Sequence, residues 1–448
     1  MSALVATTPA APTQEVQTTV GNCFVSNYPP FSFWKPECVG EAEAAMSRSP
    51  KPDTTLGVYL HIPFCRKRCH FCYYRVYTDK NAAAIKGYLD ASLAELELYA
   101  NKPFVGGRKP EFVYFGGGTP SYLSVDQLKY LVDGMKALLP WDEAREVTFE
   151  CEPGTLTAIK LRAIRDLGVT RLSLGVENFD DQVLKANGRA HRGREIDRAY
   201  EFARDIDFPQ INIDLMAGML EETEANWKEC VSKAIEMAPD SVTIYQMEIP
   251  YNTTIYQRMK NEGRQTAPVA DWDTKRHWTD YAFSQFQAAG YSIASAYTVV
   301  KDKAKTSFVY RDELWAGADL LSLGVASFGH IDGVHYQNHQ DFGPYVEQLE
   351  SGCLPVYRAL TPTKDERLIR EFILQLKLGS LSLRYFEDKF GVDPRDRFAE
   401  PLKRLRDRCY LIVEDDTLTV NRDGLLQVDR LLQEFFLPEH RNARYPDF

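Results

Sequence analysis

The sequence is short of positive charge: 53 Lys and Arg stand against 63 Asp and Glu, for a formal net charge of -10 and a pI near 5.5. That balance argues against a general nucleic-acid binder, which presents an electropositive footprint. No uninterrupted apolar run reaches the ~18 residues that a membrane-spanning helix needs. No Lys or Arg precedes Lys35, and Pro9 and Pro12 interrupt the first residues, so neither the basic nor the apolar region of a secretory signal is expected. The nine cysteines lack the spacing of a disulfide framework, which fits a reducing compartment better than secretion. Together these absences predict a cytoplasmic protein with no membrane span and no nucleic-acid partner.

What is present is enough for a sizeable core, since 44% of the 448 residues are hydrophobic, and the length suggests two or three domains. Residues 1–55 are rich in Ala, Thr, Ser and Pro and read as a flexible N-terminal arm, with Phe31-Ser32-Phe33-Trp34 as its one stretch able to dock. Short β-type runs then alternate with helical patterns. The strand candidates are residues 58–62, 112–115, 147–150, 171–176, 211–215 and 242–246. The helical patterns fall at about 82–100, 124–138, 156–167, 192–206 and 223–237. Six such alternations predict an α/β fold with a parallel sheet and right-handed crossovers, either open or a partial barrel, over residues 56–300. Residues 301–360 are expected to connect and complete the barrel mouth. From Thr361 to residue 448 the pattern changes to helices at about 363–377, 383–390 and 395–408, a hairpin of residues 411–414 and 418–420, and a last helix to about Phe436.

Three thiols sit directly after the first strand candidate, in Cys65-Arg66-Lys67-Arg68-Cys69-His70-Phe71-Cys72. This C-x3-C-x2-C spacing offers three ligands and no fourth, whereas a structural zinc site closes with four. An iron-sulfur cluster held by three cysteines keeps one iron open. The other strand candidates likewise end in or run into unusual residues: Gly116-Gly117-Gly118-Thr119-Pro120, Glu150-Cys151-Glu152-Pro153, Glu177, Asp214, and Tyr245-Gln246-Met247-Glu248. In βα barrels chemistry collects at the C-terminal strand ends, so these groups are expected to share one site.

The chain resembles the oxygen-independent coproporphyrinogen III oxidase-like branch of the radical S-adenosylmethionine (SAM) superfamily. The residues that carry the resemblance are the cysteine segment with Tyr59-Leu60-His61-Ile62-Pro63-Phe64 before it, Tyr114-Phe115-Gly116-Gly117-Gly118-Thr119-Pro120-Ser121, and Arg171-Leu172-Ser173-Leu174-Gly175-Val176-Glu177. Asn187-Gly188-Arg189-Ala190-His191 and Ile211-Asn212-Ile213-Asp214-Leu215 complete the set.

The resemblance implies a partial (β/α)6 barrel followed by a winged-helix-like α+β domain that covers the barrel mouth. It also implies a 4Fe-4S cluster on Cys65, Cys69 and Cys72, with one or two SAM molecules. The SAM contacts would be Gly116, Gly117, Gly118, Thr119, Glu150, Glu177, Arg189 and Asp214, with Tyr59 and Glu150 as the catalytic candidates. Tyr59 reads equally as a half-buried strand aromatic, and His61 as a strand-end residue. Further implications are a tetrapyrrole substrate and a reducing partner such as flavodoxin or ferredoxin.

Within the branch, oxidases carry a further cysteine two residues after the third, where this chain has Tyr74. The related haem chaperones carry His-Asn-x-x-Tyr-Trp, where this chain reads Tyr310-Arg311-Asp312-Glu313-Leu314-Trp315. A coproporphyrinogen oxidase-like reaction, radical methylation or cyclopropanation with a second SAM, and haem handling therefore stand as alternatives. Arg395, Arg397, Lys403, Arg404, Arg406 and Arg408 read as a solvated helix face, or as groups that meet substrate carboxylates at the mouth.

Overall fold

Alternation of residue types builds the centre of the fold. In β1 (Leu56–Ile62), Val58, Leu60 and Ile62 face one way and Gly57, Tyr59 and His61 the other, as a side-chain period of two requires. The same parity runs through β2 (Phe112–Gly117), β3 (Glu146–Cys151), β4 (Arg171–Glu177), β5 (Gln210–Ala217) and β6 (Ser241–Gln246). A computed structural model of the chain describes residues 18, 21, 24–52, 54–264, 266–441 and 443. In it the six strands lie side by side in sequence order, each parallel to the next. Register keeps the parity in step, with Tyr59 beside Tyr114 and Ser173 beside Asn212. The apolar set, including Leu60, Phe115, Phe149, Leu174 and Ile213, joins the main core.

Crossover helices Ala82–Ala100, Val125–Leu138, Ala158–Asp166, Gly193–Asp205 and Glu224–Met237 fall within about two residues of the patterns read from sequence. Asn81, Ser124, Thr157 and Thr223 start four of them, each side chain accepting a bond from a backbone N–H three residues on.

The sheet continues past both ends of this run to twelve strands and stays open. Asp319–Leu323 pairs parallel with β1, and Phe328–Ile331, Val334–Asn338 and Val356–Leu360 extend it antiparallel. Residues 301–360 thus widen the sheet beside β1 and reach the segment after the cysteine loop, where Asp341 pairs with Arg75. Their first part closes the opposite end: the backbone N–H groups of Val309 and Tyr310 donate to Glu146, at the start of β3, over 3.0 and 3.1 Å. The Tyr310 ring packs against Tyr114, with centroids 4.3 Å apart and planes tilted by 34°.

The arm is also corrected for its described residues. Helix Val39–Met46 buries Ala42, Ala45 and Met46 in the main core. Lys35 bridges to Ala359, which covers the exposed edge of strand Val356–Leu360. Trp34 is 3% exposed and stacks 5.1 Å from His335. Low-complexity composition hid these few large anchors, and a bare sheet edge supplied their partner. Residues 1–17 lie outside the described residues.

The C-terminal unit has its own core around Leu368, Phe372, Phe386, Phe398 and Leu418. Its helices Lys364–Leu376, Leu383–Phe390 and Ala399–Asp407 pack with an antiparallel sheet of Ser380–Ser382, Thr417–Val420 and Leu411–Glu414. The expected helix 395–408 breaks at Phe398, which is buried with non-helical dihedrals. The expected last helix breaks into Arg422–Leu425 and Val428–Leu432.

Candidate active site

The cysteine loop is pinned by backbone bonds. Cys65 N donates to Tyr77 O, His70 N to Asn187 O, Ile255 N to His70 O, and Cys72 N to Cys69 O. Arg68 adds bonds to the carbonyls of Cys72 and Asn252. Two side chains donate to the sulfurs: Thr119 Oγ1 to Cys65 Sγ and Arg189 Nη1 to Cys69 Sγ, both at 3.2 Å.

The glycine loop presses against β1. Gly117 has φ +102°, and a Cβ there would lie 2.3 Å from His61 Nδ1; a Cβ on Gly118 would lie 2.7 Å from the Ile62 carbonyl oxygen. Both positions thus need glycine for strand packing as well as for ligand approach. His61, held near pKa 4 by burial, is neutral. Its Nε2 lies 3.1 Å from the Arg75 carbonyl and its Nδ1 3.3 Å from the Tyr59 hydroxyl, so Nε2–H donates and Nδ1 accepts.

Three carboxylates face inward from neighbouring strands. Glu150 accepts from Tyr114 Oη at 2.7 Å and Gly117 N at 3.1 Å, yet burial pushes its pKa up to about 7. Asp214 accepts from Ser173 Oγ at 3.0 Å and Asn212 Nδ2 at 2.8 Å, and burial raises it as well. Glu177 sits just past a register shift in β4 with φ +66°, a backbone that disfavours a non-glycine residue and that re-aims its side chain. Its carboxylate lies 3.6 Å from Arg189 Nη1, while burial lifts its pKa to about 7. Arg189, which also donates to Gly175 O, therefore bridges this carboxylate and the Cys69 sulfur.

Glu152 was quoted in the sequence without a role. It takes two bonds from Arg66 at 3.1 Å and one from His191 Nδ1 at 2.9 Å, tying the cysteine loop to the segment after β4. Burial works to raise its pKa, but His191, Arg189 and Arg66 hold it at about 2. Both nitrogens of His191 face acceptors, Glu152 and the Val176 carbonyl, which only the imidazolium satisfies even though burial acts to lower its pKa. Strand parity was the signal for Glu152, two residues beyond Glu150; nothing in the sequence signals the His191 contact.

A cavity of about 670 Å³ gathers this machinery. Cys65, Cys69 and Cys72 line it together with Gly117, Gly118, Thr119, Glu150, Glu177, Arg189 and Asp214. Gly116 and Tyr59 do not. Tyr59 lies deeper, in a stack with Tyr114 and Tyr310, so it serves the wall of the site rather than its opening. Residues 59–234 match the radical SAM superfamily. They are a radical SAM domain. The chain is 27% identical over 419 residues to the oxygen-independent coproporphyrinogen III oxidase of Pseudomonas aeruginosa, covering 90% of each protein. It is 27% identical over 373 residues to the heme chaperone HemW of Bacillus subtilis, covering 82% of this chain and 96% of that protein. The fold matches that of coproporphyrinogen III oxidase (HemN) from Escherichia coli at a TM-score of 0.79 and 24% identity, over 92% of this chain and 96% of that one.

A radical SAM enzyme uses a 4Fe-4S cluster and SAM, and the donor set fits both. Among the described residues no three His, Cys, Asp or Glu side chains converge on a single metal ion. A cluster asks for something different, because its cysteine thiolates sit on separate irons. Burial pushes the thiols of Cys65 and Cys72 up to about 11 and about 12, so without a metal they stay protonated. Buried inward carboxylates with few fixed donors leave acceptor capacity for a polar ligand.

The radical SAM cavity is roofed by the C-terminal unit through Leu425, Leu426, Val428, Asp429, Arg430 and Gln433. None of the six basic residues from Arg395 to Arg408 lines it, which corrects the expectation that they reach the mouth; Arg395, Arg397 and Arg404 pair with Glu387, Asp365 and Glu434 instead. The roof is fastened by Asp429, which accepts from Val25 N and Tyr297 Oη and pairs at 2.7 Å with Lys377, a residue 0% exposed. Lys377 also donates to Val25 O at 2.6 Å. Removing one partner of a buried pair strands the other charge, at a cost of about 3–5 kcal/mol. Asp429→Ala is therefore expected to lower unfolding stability by that order and to open the roof to limited proteolysis, whereas the double variant with Lys377→Met recovers much of the loss. Equal losses in the single and double variants would contradict this role.

Proposed function

We propose that this radical SAM enzyme acts on a tetrapyrrole by 5'-deoxyadenosyl radical chemistry, as its coproporphyrinogen oxidase-like relatives suggest, with the outcome of the radical step differing from oxidative decarboxylation. The observation that carries the reading is the cavity that gathers the thiols of Cys65, Cys69 and Cys72, the carboxylates of Glu150, Glu177 and Asp214, and Arg189 beneath a roof from the second unit. Relatives along most of the chain, named as coproporphyrinogen III oxidases, support the substrate class. When bound, the cluster and SAM supply a 5'-deoxyadenosyl radical for hydrogen abstraction. Cys65, Cys69 and Cys72 would hold the cluster. Glu150 would accept hydrogen bonds from ribose hydroxyls of SAM, and the planar fork of Arg189 would suit its carboxylate. Glu177 and Asp214 complete that polar wall. The substrate lies toward the roof, where Arg430 meets its carboxylates and the apolar Leu425, Leu426 and Val428 exclude water. Flavodoxin or ferredoxin is the expected electron donor, in the cytoplasm.

Tyr74 occupies the place of the oxidases' further cysteine, stacked 4.5 Å from Tyr73, and both rings are over 40% exposed at the cavity. An aromatic platform there suits a flat substrate and offers no thiol. Haem loading through the chaperones' histidine finds no support, because Tyr310 stands in its place inside the closed end of the barrel.

Anaerobic reconstitution with SAM and a reductant, with and without coproporphyrinogen III, tests the reading by product analysis. The expected result is 5'-deoxyadenosine formation that rises with the porphyrinogen, with little conversion to protoporphyrinogen, because Tyr74 replaces the cysteine. Substrate-dependent S-adenosylhomocysteine would move the chain to the methyl-transfer class and bring in a second SAM. No effect of the tetrapyrrole on SAM cleavage would contradict the substrate class.

A further inference from the structure

A second cavity, of about 320 Å³, lies at the other end of the barrel, where Arg171 begins β4 and Ser241 begins β6. Its volume falls near the lower limit of small-ligand sites, about 300 Å³. Arg171, Lys303 and Arg311 line it together with the hydroxyls of Thr306 and Ser307, and Asp312 is its single acid.

Arg171 is the informative residue. It is 2% exposed, and its Nε is buried without a hydrogen-bond partner. Its guanidinium packs over the Phe308 ring, 4.1 Å from the centroid, and its charge acts on the inward Asp214 and Glu150 carboxylates against the effect of their burial. A buried charge is normally paired, since stranding one is costly. Arg311 repeats the pattern in part: it pairs with Asp312 at 2.7 Å, but its Nη1 is buried without a partner. Three cations therefore line the cavity against one acid that is already engaged, and although Arg171 shares its charge with Asp214 and Glu150, the lining keeps an excess of positive charge beside hydroxyl donors, the chemistry that recognises a dianion.

We propose that this cavity binds a phosphate group, as free phosphate or as the phosphomonoester of a small metabolite. The site is separate from the thiol cavity. Arg171 nevertheless shares a face of β4 with Ser173, which donates to Asp214, so an occupant would bear on the wall of the main site through two residues of strand.

Isothermal titration of the full-length, anaerobically reconstituted protein with inorganic phosphate and with ribose 5-phosphate tests the proposal, with acetate at matched ionic strength as the control. Saturable binding with a Kd below about 1 mM is expected for at least one phosphate compound, and which one binds tighter distinguishes the two sources. Lys303→Gln, a loop change that buries nothing new, should weaken binding about tenfold, in line with the loss of one charged hydrogen bond. Arg171→Met should abolish it, with a thermal melt of the variant confirming that the protein is still folded. Absence of saturable phosphate binding, equal binding of acetate, or an affinity in Lys303→Gln within twofold of the parent would overturn the assignment.

Discussion

Replacing Cys65, Cys69 or Cys72 by alanine is expected to yield folded protein that retains no iron or sulfide after anaerobic reconstitution and no longer cleaves SAM. The three thiols line one cavity on a loop held by its own backbone bonds, so each loss removes a ligand without unseating the loop. The drop in activity should exceed the roughly 10–100-fold cost of losing an outer-shell partner of a metal ligand. Cys230 provides the control. It is buried in the main core and does not line the cavity, so its replacement by alanine should leave iron content unchanged. A Cys69→Ala protein that kept its cluster would refute the ligand set.

Glu150→Gln should keep its iron and bind SAM one to two decades more weakly, since losing one charged hydrogen-bond partner costs roughly 1.5–3 kcal/mol. The pH dependence separates this from simple structural damage. Burial raises the Glu150 carboxyl to about 7, so near neutrality the free protein holds it partly protonated. A ligand that donates hydroxyl protons binds the anion, so SAM affinity of the parent protein should climb as pH rises through about 7 and level off above it. Glu177, raised to about 7 by burial beside Arg189, contributes a step in the same direction. In Glu150→Gln the rise should shrink to the part carried by Glu177. Unchanged SAM affinity, or an unchanged pH profile, would make Glu150 a wall residue only.

The barrel was legible because its signals are local. Apolar parity marked β1 to β6, and the polar residues in or just after the C-terminal half of each run point to one end of the sheet, so Cys65, Glu150, Glu177 and Asp214 meet around one cavity. The roof was not legible. Leu425, Leu426 and Val428 read as ordinary helix residues, and nothing local marks Asp429 as the partner of Lys377 and Tyr297, which lie 52 and 132 residues away in the chain. The N-terminal segment misled for a related reason: Trp34 and Met46 are too sparse to form a periodic pattern, and the edge they cover is built from residues about three hundred positions later. Tyr59 shows the limit of parity itself. It lies on the face that carries the site, but at a depth that only the Tyr114 and Tyr310 stack reveals.

The most direct test of a thiol-held cluster acting on SAM in this cavity is the yield of 5'-deoxyadenosine from anaerobically reconstituted protein supplied with SAM and dithionite. Repeated, stoichiometric formation of 5'-deoxyadenosine and methionine by the parent protein, absent from the variant lacking Cys65, Cys69 and Cys72, is the expected result. Intact SAM after incubation with cluster-loaded, reduced parent protein, in the presence and absence of porphyrinogen, would contradict it.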